Sequence, residues 1–386
     1  MRVCYLLLLD ESQNNNRYFR MCENGGVIET EVGRVGAKPI KRKVPASYWK
    51  TLYDRKIAEG YVDRTEQISF RKNAKYAEIA DSDVRHLFDN LLRYAHKAIE
   101  DNYTVSYDSV SEKMVREAQA VLHRIDSCRD IEECRRLFKE EYIIIPRKMR
   151  DVEEMLPKTL DDVKELLVYN QDLLDVMASQ VKTCTNANPT QTILDKYHIS
   201  ARLCTDEENE NIKKHLASES RGFFRRAFRI NNSVTDARQE AYIQAHHVKQ
   251  HDIHYLYHGS KNMNYFGIVT DGLLLNPNAP VTGKMFGYGL YFANRAKKSI
   301  NYTDLSGSYW AGGHSNTAYL AVFKVVYQNA RHIQKWTSDM SSLTRERLGK
   351  QHDALFAHKG VDLVNDEIIV YDQAQATMQY LVELGV

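Results

Sequence analysis

The sequence predicts a multidomain α+β protein: a small strand-rich α+β domain, then an all-α zone, then a larger mixed α/β domain. Three observations carry this. The chain has 386 residues, and at roughly 100–200 residues per domain that length predicts two or three domains. Its hydrophobic period changes twice, to helical spacing near residue 80 and back to strand-rich runs after 193. A polar, aperiodic stretch, Thr183–Thr192, contains Pro189 and reads as the linker into the last zone. The divisions are therefore 1–78, 79–182 and 193–386. A 43% hydrophobic and 27% charged composition excludes wholesale disorder and fibrous repeats.

In the first zone, Val3–Leu9 is an apolar run of strand length, closed by Asp10 and Glu11. No small-residue cleavage pattern follows it, so it reads as a first strand rather than a secretory leader. A polar turn over Glu11–Asn16 precedes a second strand from Tyr18. Turns follow at Gly25-Gly26 and Gly33–Gly36, and Trp49, Leu52, Tyr53 and Ile57 have helical spacing.

In the second zone, Val84, Leu87, Phe88, Leu91, Leu92, Ala95 and Ile99 follow an i, i+3, i+4, i+7 stripe. Ser109-Val110-Ser111-Glu112 has the form of a capping box. Val163, Leu166, Leu167, Leu173, Leu174 and Met177 mark a further helix. Tyr142–Ile145, ended by Pro146, is the one strand-like signal in this bundle. The third zone has strand-like runs at Tyr319–Tyr327 and Glu367–Tyr371 and many Gly, Asn and Pro residues over 259–289.

Six cysteines lie far apart without a C-x-x-C pair. Neither a disulfide framework nor a zinc site is expected, which points to a reducing compartment. No stretch approaches the ~20 apolar residues that span a bilayer, so the expectation is no membrane association and no secretion. The net charge of +2 hides an asymmetry. Residues 31–72 hold eleven Lys/Arg against five Asp/Glu; on charge alone this is a solvated face or a nucleic-acid surface.

Two phosphate-loop readings fail. Gly287-Tyr288-Gly289 lacks a third glycine and runs into a strand, Leu290–Ala293, not a helix. Gly283-Lys284 is followed by Met285 rather than Ser or Thr. Any NAD or ATP site here must use another geometry.

A set of ordered motifs supplies one. Tyr257-His258-Gly259-Ser260, the run from Ala279 through Gly287-Tyr288-Gly289 to Leu290-Tyr291-Phe292-Ala293, Lys298-Ser299-Ile300-Asn301-Tyr302 and Glu367–Asp372 occur in sequence. Together they resemble the catalytic domain of the poly(ADP-ribose) polymerases. The first zone resembles a WGR domain through Val32-Gly33-Arg34-Val35-Gly36, with Val32 where that family has Trp. The second resembles the family's helical regulatory domain, including Asp172–Asp175.

The resemblance implies an ADP-ribosyltransferase fold of split antiparallel sheets that takes NAD as substrate and needs no metal. It implies the triad His258, Tyr291 and Glu367. His258 would anchor the adenosine ribose. Glu367 would accept from the nicotinamide-ribose 2′-OH, favour the cationic transition state and polarise the incoming hydroxyl. Gly259 and Ser299 would meet the nicotinamide amide, Tyr302 and Tyr291 would stack its ring, and Ser260 completes the first motif. Asp175 would lie near the adenosine end under a helical lid. Tyr288 stands where a Lys is frequent, a role Lys284 could take over.

For the basic zone the resemblance favours nucleic acid. Arg34 would meet a phosphate or stack at a DNA end, with Lys38, Lys41, Arg42 and Lys43 supplying general attraction. Losing the family Trp to Val32 removes a stacking surface. The expected activity is a DNA-break-stimulated polymerase modifying proteins, itself included, with an accessory specificity factor as a possible partner. Its expected location is the nucleus in a eukaryote and the cytoplasm otherwise. A mono-ADP-ribosyltransferase and a catalytically dead DNA-binding scaffold are the alternatives.

Overall fold

Residues 2–68, 74–275 and 285–386 are described in a computed structural model. The expected Lys284 contact and the motif segment 279–284 lie outside them. The chain divides into two compact units. The first draws on residues 2–68, 74 and 96–186, the second on 75–95, 187–275 and 285–386.

The first unit opens with strands β1 (Arg2–Asp10), β2 (Asn15–Asn24), β3 (Val27–Arg34) and β4 (Ile40–Pro45), helix α1 (Trp49–Ala58) and the short β5 (Val62–Asp63). They form an antiparallel sheet in the order β4-β3-β2-β1-β5. Gly25 and Gly26 sit at φ +61° and +81°, the left-handed pair a two-residue hairpin turn demands. One core gathers Cys4, Leu6, Phe19, Met21, Ile28, Trp49 and Tyr61. Val32 pairs across to Phe19 and Ile40 and stands half-buried against that core.

Helices α2 (Ser82–Asn102), α3 (Glu112–Ser127), α4 (Ile131–Ile144) and α5 (Leu160–Cys184) follow. The cap of α3 is Ser111, whose hydroxyl accepts from the Met114 amide at 3.2 Å; Ser109 sits in the preceding 3-10 turn, so the cap lies two residues later than expected, and with Met114 at the third helical position the expected box does not form. Tyr142–Ile144 is helix, not strand. Cys134, Leu137, Phe138, Glu141 and Tyr142 form a continuous buried stripe, and packing of that stripe outweighs the local β preference.

The second unit contains α6 (Ile193–Lys196), β6 (Ile199–Leu203), α7 (Asp206–His215), α8 (Ser218–Arg221), β7 (Phe224–Asn232), α9 (Ser233–His246), β8 (Ile253–Gly259) and α10 (Tyr265–Asp271). After these come β9 (Leu290–Phe292), α11 (Ala296–Ile300), β10 (Thr317–Val326), β11 (Ala330–Ile333), β12 (Ala354–Ala357), β13 (Glu367–Val370) and β14 (Ala376–Gly385). The larger sheet runs β6-β7-β14-β10-β8 and the smaller β11-β12-β13-β9. The sheets are split as expected, but β11 and β12 pair in parallel. Residues 334–353 between them provide the long crossover a parallel pair requires. Tyr257 and Ala293 bridge the sheets through paired backbone bonds of 2.8 and 2.9 Å.

The apolar stripe of α2 is built into this second core. Val84, Leu87, Phe88 and Leu91 pack with Phe228, Tyr265, Phe266, Phe323, Ile368 and Leu381. Asp83 and Glu383 both hold Arg226, at 2.9 and 3.0 Å. The zone expected at 79–182 therefore contributes to both units, since α2 passes into the first unit at His96.

Candidate active site

The bridge between the two sheets sets the site. Strand β8 ends at His258-Gly259 on the edge of the larger sheet, beside β9 of the smaller one. The His258 Nδ1 lies 3.0 Å from the Tyr291 carbonyl. A carbonyl only accepts, so Nδ1 carries the proton and Nε2 of the neutral ring is an acceptor. That is the nitrogen able to take a hydrogen bond from a ribose hydroxyl. Phe292 and Phe323 meet the imidazole edge-on, each at 6.1 Å between ring centres, fixing its plane.

Gly259 has a reason beyond ligand approach. A Cβ there would lie 1.7 Å from the Ser299 carbonyl oxygen. No other residue lets β8 pass this close to α11. The Ser299 hydroxyl is buried and donates to the Tyr257 carbonyl at 3.1 Å. Its proton is thus committed, and toward an amide it can only accept. The Ser260 hydroxyl accepts from the Asn264 side chain at 2.9 Å, which holds the turn after the strand.

Tyr291, on β9, is locked through its hydroxyl, which accepts from the Phe286 amide and donates to the Gly287 carbonyl, both at 3.0 Å. The Tyr371 hydroxyl donates to the Phe286 carbonyl at 2.7 Å and the Trp336 indole to the Met285 carbonyl at 2.8 Å. Three side chains therefore pin the turn leading into β9. Gly287 lies at φ +70° with Leu343 carbonyl 2.3 Å from where a Cβ would stand, so this turn requires glycine.

Glu367 opens β13, an inner strand of the smaller sheet, and pairs in register with Ala357. Its carboxylate lies 2.5 Å from the Lys298 ammonium, both side chains about nine-tenths buried. Lys298 also reaches the Asn365 and Asp366 carbonyls at 3.4 and 3.3 Å. Burial pushes the Lys298 amine below the usual lysine range, against the opposing pull of Glu367. Burial and then the Glu367 charge hold the Tyr302 phenol above its ordinary value. For Tyr291, burial and the neighbouring Tyr371 act first and Glu367 adds to them. One carboxylate thus acts on an ammonium and two phenols, and Tyr302 is 41% exposed.

A family profile described as the poly(ADP-ribose) polymerase catalytic domain matches residues 206–311. This part of the chain is similar to a poly(ADP-ribose) polymerase catalytic domain. The matched residues hold His258, Gly259, Tyr291, Lys298, Ser299 and Tyr302, while Glu367 lies beyond them. The chain is 33% identical over 180 residues to poly [ADP-ribose] polymerase 1 of Gallus gallus, covering 41% of this chain and 17% of that one. It is 30% identical over 161 residues to the poly [ADP-ribose] polymerase of Sarcophaga peregrina, covering 36% and 16%. It is also similar, at 25% identity over 228 residues, to uncharacterized protein 101L of Invertebrate iridescent virus 6, covering 57% of this chain and 97% of that one. The alignments span under a fifth of the length of the two polymerases.

Domains of that family take NAD as a substrate, and the residues present here fit it. An acceptor imidazole nitrogen, a buried acceptor hydroxyl, a half-exposed ring and a carboxylate held by a lysine stand in the same unit. Lys298 stands within its motif, but the sequence alone gives it no role. Its signal was a lysine on the turn that also presents Ser299 and Tyr302. Among the described residues no group of three or more His, Cys, Asp or Glu side chains converges to hold a metal. No described helix is long and apolar enough to cross a membrane, and none of the six cysteines is in a disulfide.

The other expected contacts lie in the first unit. Asp175 is exposed on α5, where the Gln171 amide donates to it at 2.8 Å. Arg34 was expected on a DNA phosphate, yet its guanidinium is committed within the protein. It donates to the Asn14 carbonyl at 2.7 Å, the Asn14 side chain at 3.2 Å, and the Met149 and Arg150 carbonyls at 3.4 and 2.6 Å. A five-donor fork can satisfy several carbonyls at once, and here it joins Asn14 to residues 149 and 150. Lys41 is paired with Glu31 at 2.6 Å and Glu29 at 3.5 Å. Lys38, Arg42 and Lys43 are exposed, the last two on edge strand β4.

Proposed function

We propose that the protein is an NAD-dependent ADP-ribosyltransferase that builds poly(ADP-ribose) on protein acceptors, itself included, and is stimulated by broken DNA. The observation that carries the reading is the buried Lys298–Glu367 pair, whose Glu367 lies on a strand paired with β9, where the Tyr291 carbonyl in turn meets the His258 ring. His258 Nε2 accepts from the adenosine ribose. The Ser299 hydroxyl accepts from the nicotinamide amide, and the Tyr302 and Tyr291 rings bound its plane. Glu367 accepts from the nicotinamide-ribose 2′-OH and favours positive charge at the anomeric carbon as nicotinamide leaves. It then orients the acceptor hydroxyl, so that one carboxylate serves cleavage and elongation.

The resemblance of the N-terminal zone, 1–78, to a WGR domain and its exposed Lys38, Arg42 and Lys43 support DNA as the stimulus. With that reading come action at DNA damage, a nuclear location in a eukaryotic cell and an accessory factor that selects acceptors. The test is nicotinamide release and product length from labelled NAD, with and without a 5′-phosphorylated DNA break. Polymer ladders that depend on the break are the expected result. Single units would reduce the reading to mono-transfer, and equal rates without DNA at low salt would remove the stimulus.

A further inference from the structure

Glu367 stands at the end of a loop that its neighbour fastens. Strands β12 and β13 pair with Ala357 opposite Glu367, so residues 358–366 connect them. A surface loop of that kind is the mobile part of a sheet unless something ties it down. Here the Asp366 side chain does so at both oxygens. Its Oδ1 accepts from the Lys359 amide at 2.8 Å and closes the loop at its base. Its Oδ2 accepts from the Asn294 side chain at 3.0 Å, just past the Tyr257–Ala293 bridge. Ile368 pairs with Phe292 across β13 and β9, and continuing that register sets Asp366 opposite Asn294. The side-chain bond thus extends the pairing beyond the last main-chain partners.

We propose that Asp366 is a positioning residue for the transfer, fixing where the Lys298 ammonium and the Glu367 carboxylate stand. This inference rests on the transferase reading above. The main chain carries the effect. While Asn294 and Lys359 hold the Asp366 side chain, its carbonyl and that of Asn365 accept from the Lys298 ammonium at 3.3 and 3.4 Å. An ammonium has three N–H donors, and with the Glu367 carboxylate at 2.5 Å each has an acceptor. Two carbonyls whose direction Asp366 sets therefore centre the lysine, and the lysine centres the carboxylate. Preorganised sites hold reacting groups to within about 0.5 Å, a tolerance that a loose loop base would exceed.

A carboxylate suits position 366. Both of its partners are donors, and an ionised carboxyl offers two oxygens that only accept. Burial acts to raise the Asp366 carboxyl, but the Lys359 amide and then the Asn294 side chain outweigh it and hold the group below its usual range. Asn294 follows β9, which presents Tyr291, so one side-chain contact joins the ends of the strands that carry Tyr291 and Glu367.

The test is a set of substitutions at 294 and 366 in the full chain, read by nicotinamide release from NAD and by melting temperature. Asp366→Ala lowers kcat at least about tenfold while KM for NAD changes by less than about threefold, because the displaced carboxylate acts chiefly in the transition state. Asn294→Asp sets two carboxylates against each other and lowers kcat likewise. Adding Asp366→Asn to Asn294→Asp rebuilds the bond with its donor and acceptor exchanged, and returns kcat to within about threefold of the unmodified chain. A residue serving stability alone would lower the melting temperature and leave the kcat of the folded fraction unchanged. An unmodified chain that releases no nicotinamide overturns the transferase reading and this inference with it. An active chain whose Asp366→Ala variant keeps its kcat, or whose exchanged pair stays as slow as Asn294→Asp, overturns the inference alone.

Discussion

The ammonium of Lys298 lies 2.5 Å from the carboxylate of Glu367, and both side chains are largely buried, 11% and 13% exposed. Such a pair has two functions that substitution can separate. Removing one partner strands the other charge, which costs about 3–5 kcal/mol in a buried site. Glu367→Gln should therefore lower the melting temperature, lose chain elongation and retain a fraction of nicotinamide release. The double variant Glu367→Gln, Lys298→Met removes both charges. It should recover most of the thermal stability and none of the elongation. Recovery of polymer on gels would refute the catalytic role of the carboxylate.

Gly259 makes a second prediction, about space rather than charge. A methyl group there meets the Ser299 carbonyl at 1.7 Å, a clash that only movement of β8 or α11 relieves. Overpacking of this kind costs about 1–3 kcal/mol. Because α11 also presents Lys298 and Ser299, its displacement reaches the site. Gly259→Ala should lower the melting temperature and weaken NAD binding together, read by calorimetric titration. A variant with normal stability that fails to bind NAD would mean the glycine is there for the ligand alone.

How far these features were legible in the sequence follows from the range of the forces behind them. Periodicity identified α2 and α5, and β-branched runs identified β10 and β13, because those signals are local. The N-cap slipped from Ser109 to Ser111 because both spacings offer a hydroxyl, and only the folded backbone chooses. The Tyr142–Ile144 run became helix because its partners are far off in sequence. Motif order placed His258, Tyr291 and Glu367, but not the Lys298–Glu367 pair, a contact across 69 positions. Nor could the sequence show that Arg34 would be occupied by carbonyls of residues 149 and 150 rather than left for a phosphate.

Arg34 yields a prediction that separates those two uses. Its guanidinium fixes Asn14, whose side-chain oxygen in turn accepts from the Val152 amide at 3.0 Å. Hydrogen bonds from a charged group contribute about 1.5–3 kcal/mol each. In Arg34→Ala without any DNA, hydrogen exchange over residues 146–152 should accelerate about tenfold or more. The α5 amides serve as the internal reference. Unchanged exchange in the absence of DNA would return Arg34 to the role of a phosphate ligand.

The last prediction concerns acidity inside the helical part of the first unit. Glu141 is fully buried, and neither of its oxygens has a hydrogen-bond partner. Burial pushes its carboxyl up to about 7, against the opposing field of Arg147. Arg147 is itself buried, with one bond to Asn170 at 2.7 Å and the ring of Tyr103 4.7 Å away. A folded-state pKa above the ordinary carboxyl value means the folded chain holds this proton more tightly than the unfolded one. The resulting stabilisation is complete in acid and is lost as pH rises through about 7. At ~1.4 kcal/mol per unit of pKa, the change from pH 4 to pH 8 is about 3 kcal/mol. Denaturant midpoints of the unmodified chain should therefore carry a falling component across that range that Glu141→Gln lacks. Parallel midpoint curves for the two proteins would show that Glu141 keeps its charge when buried, and that the Arg147 field, rather than desolvation, governs it.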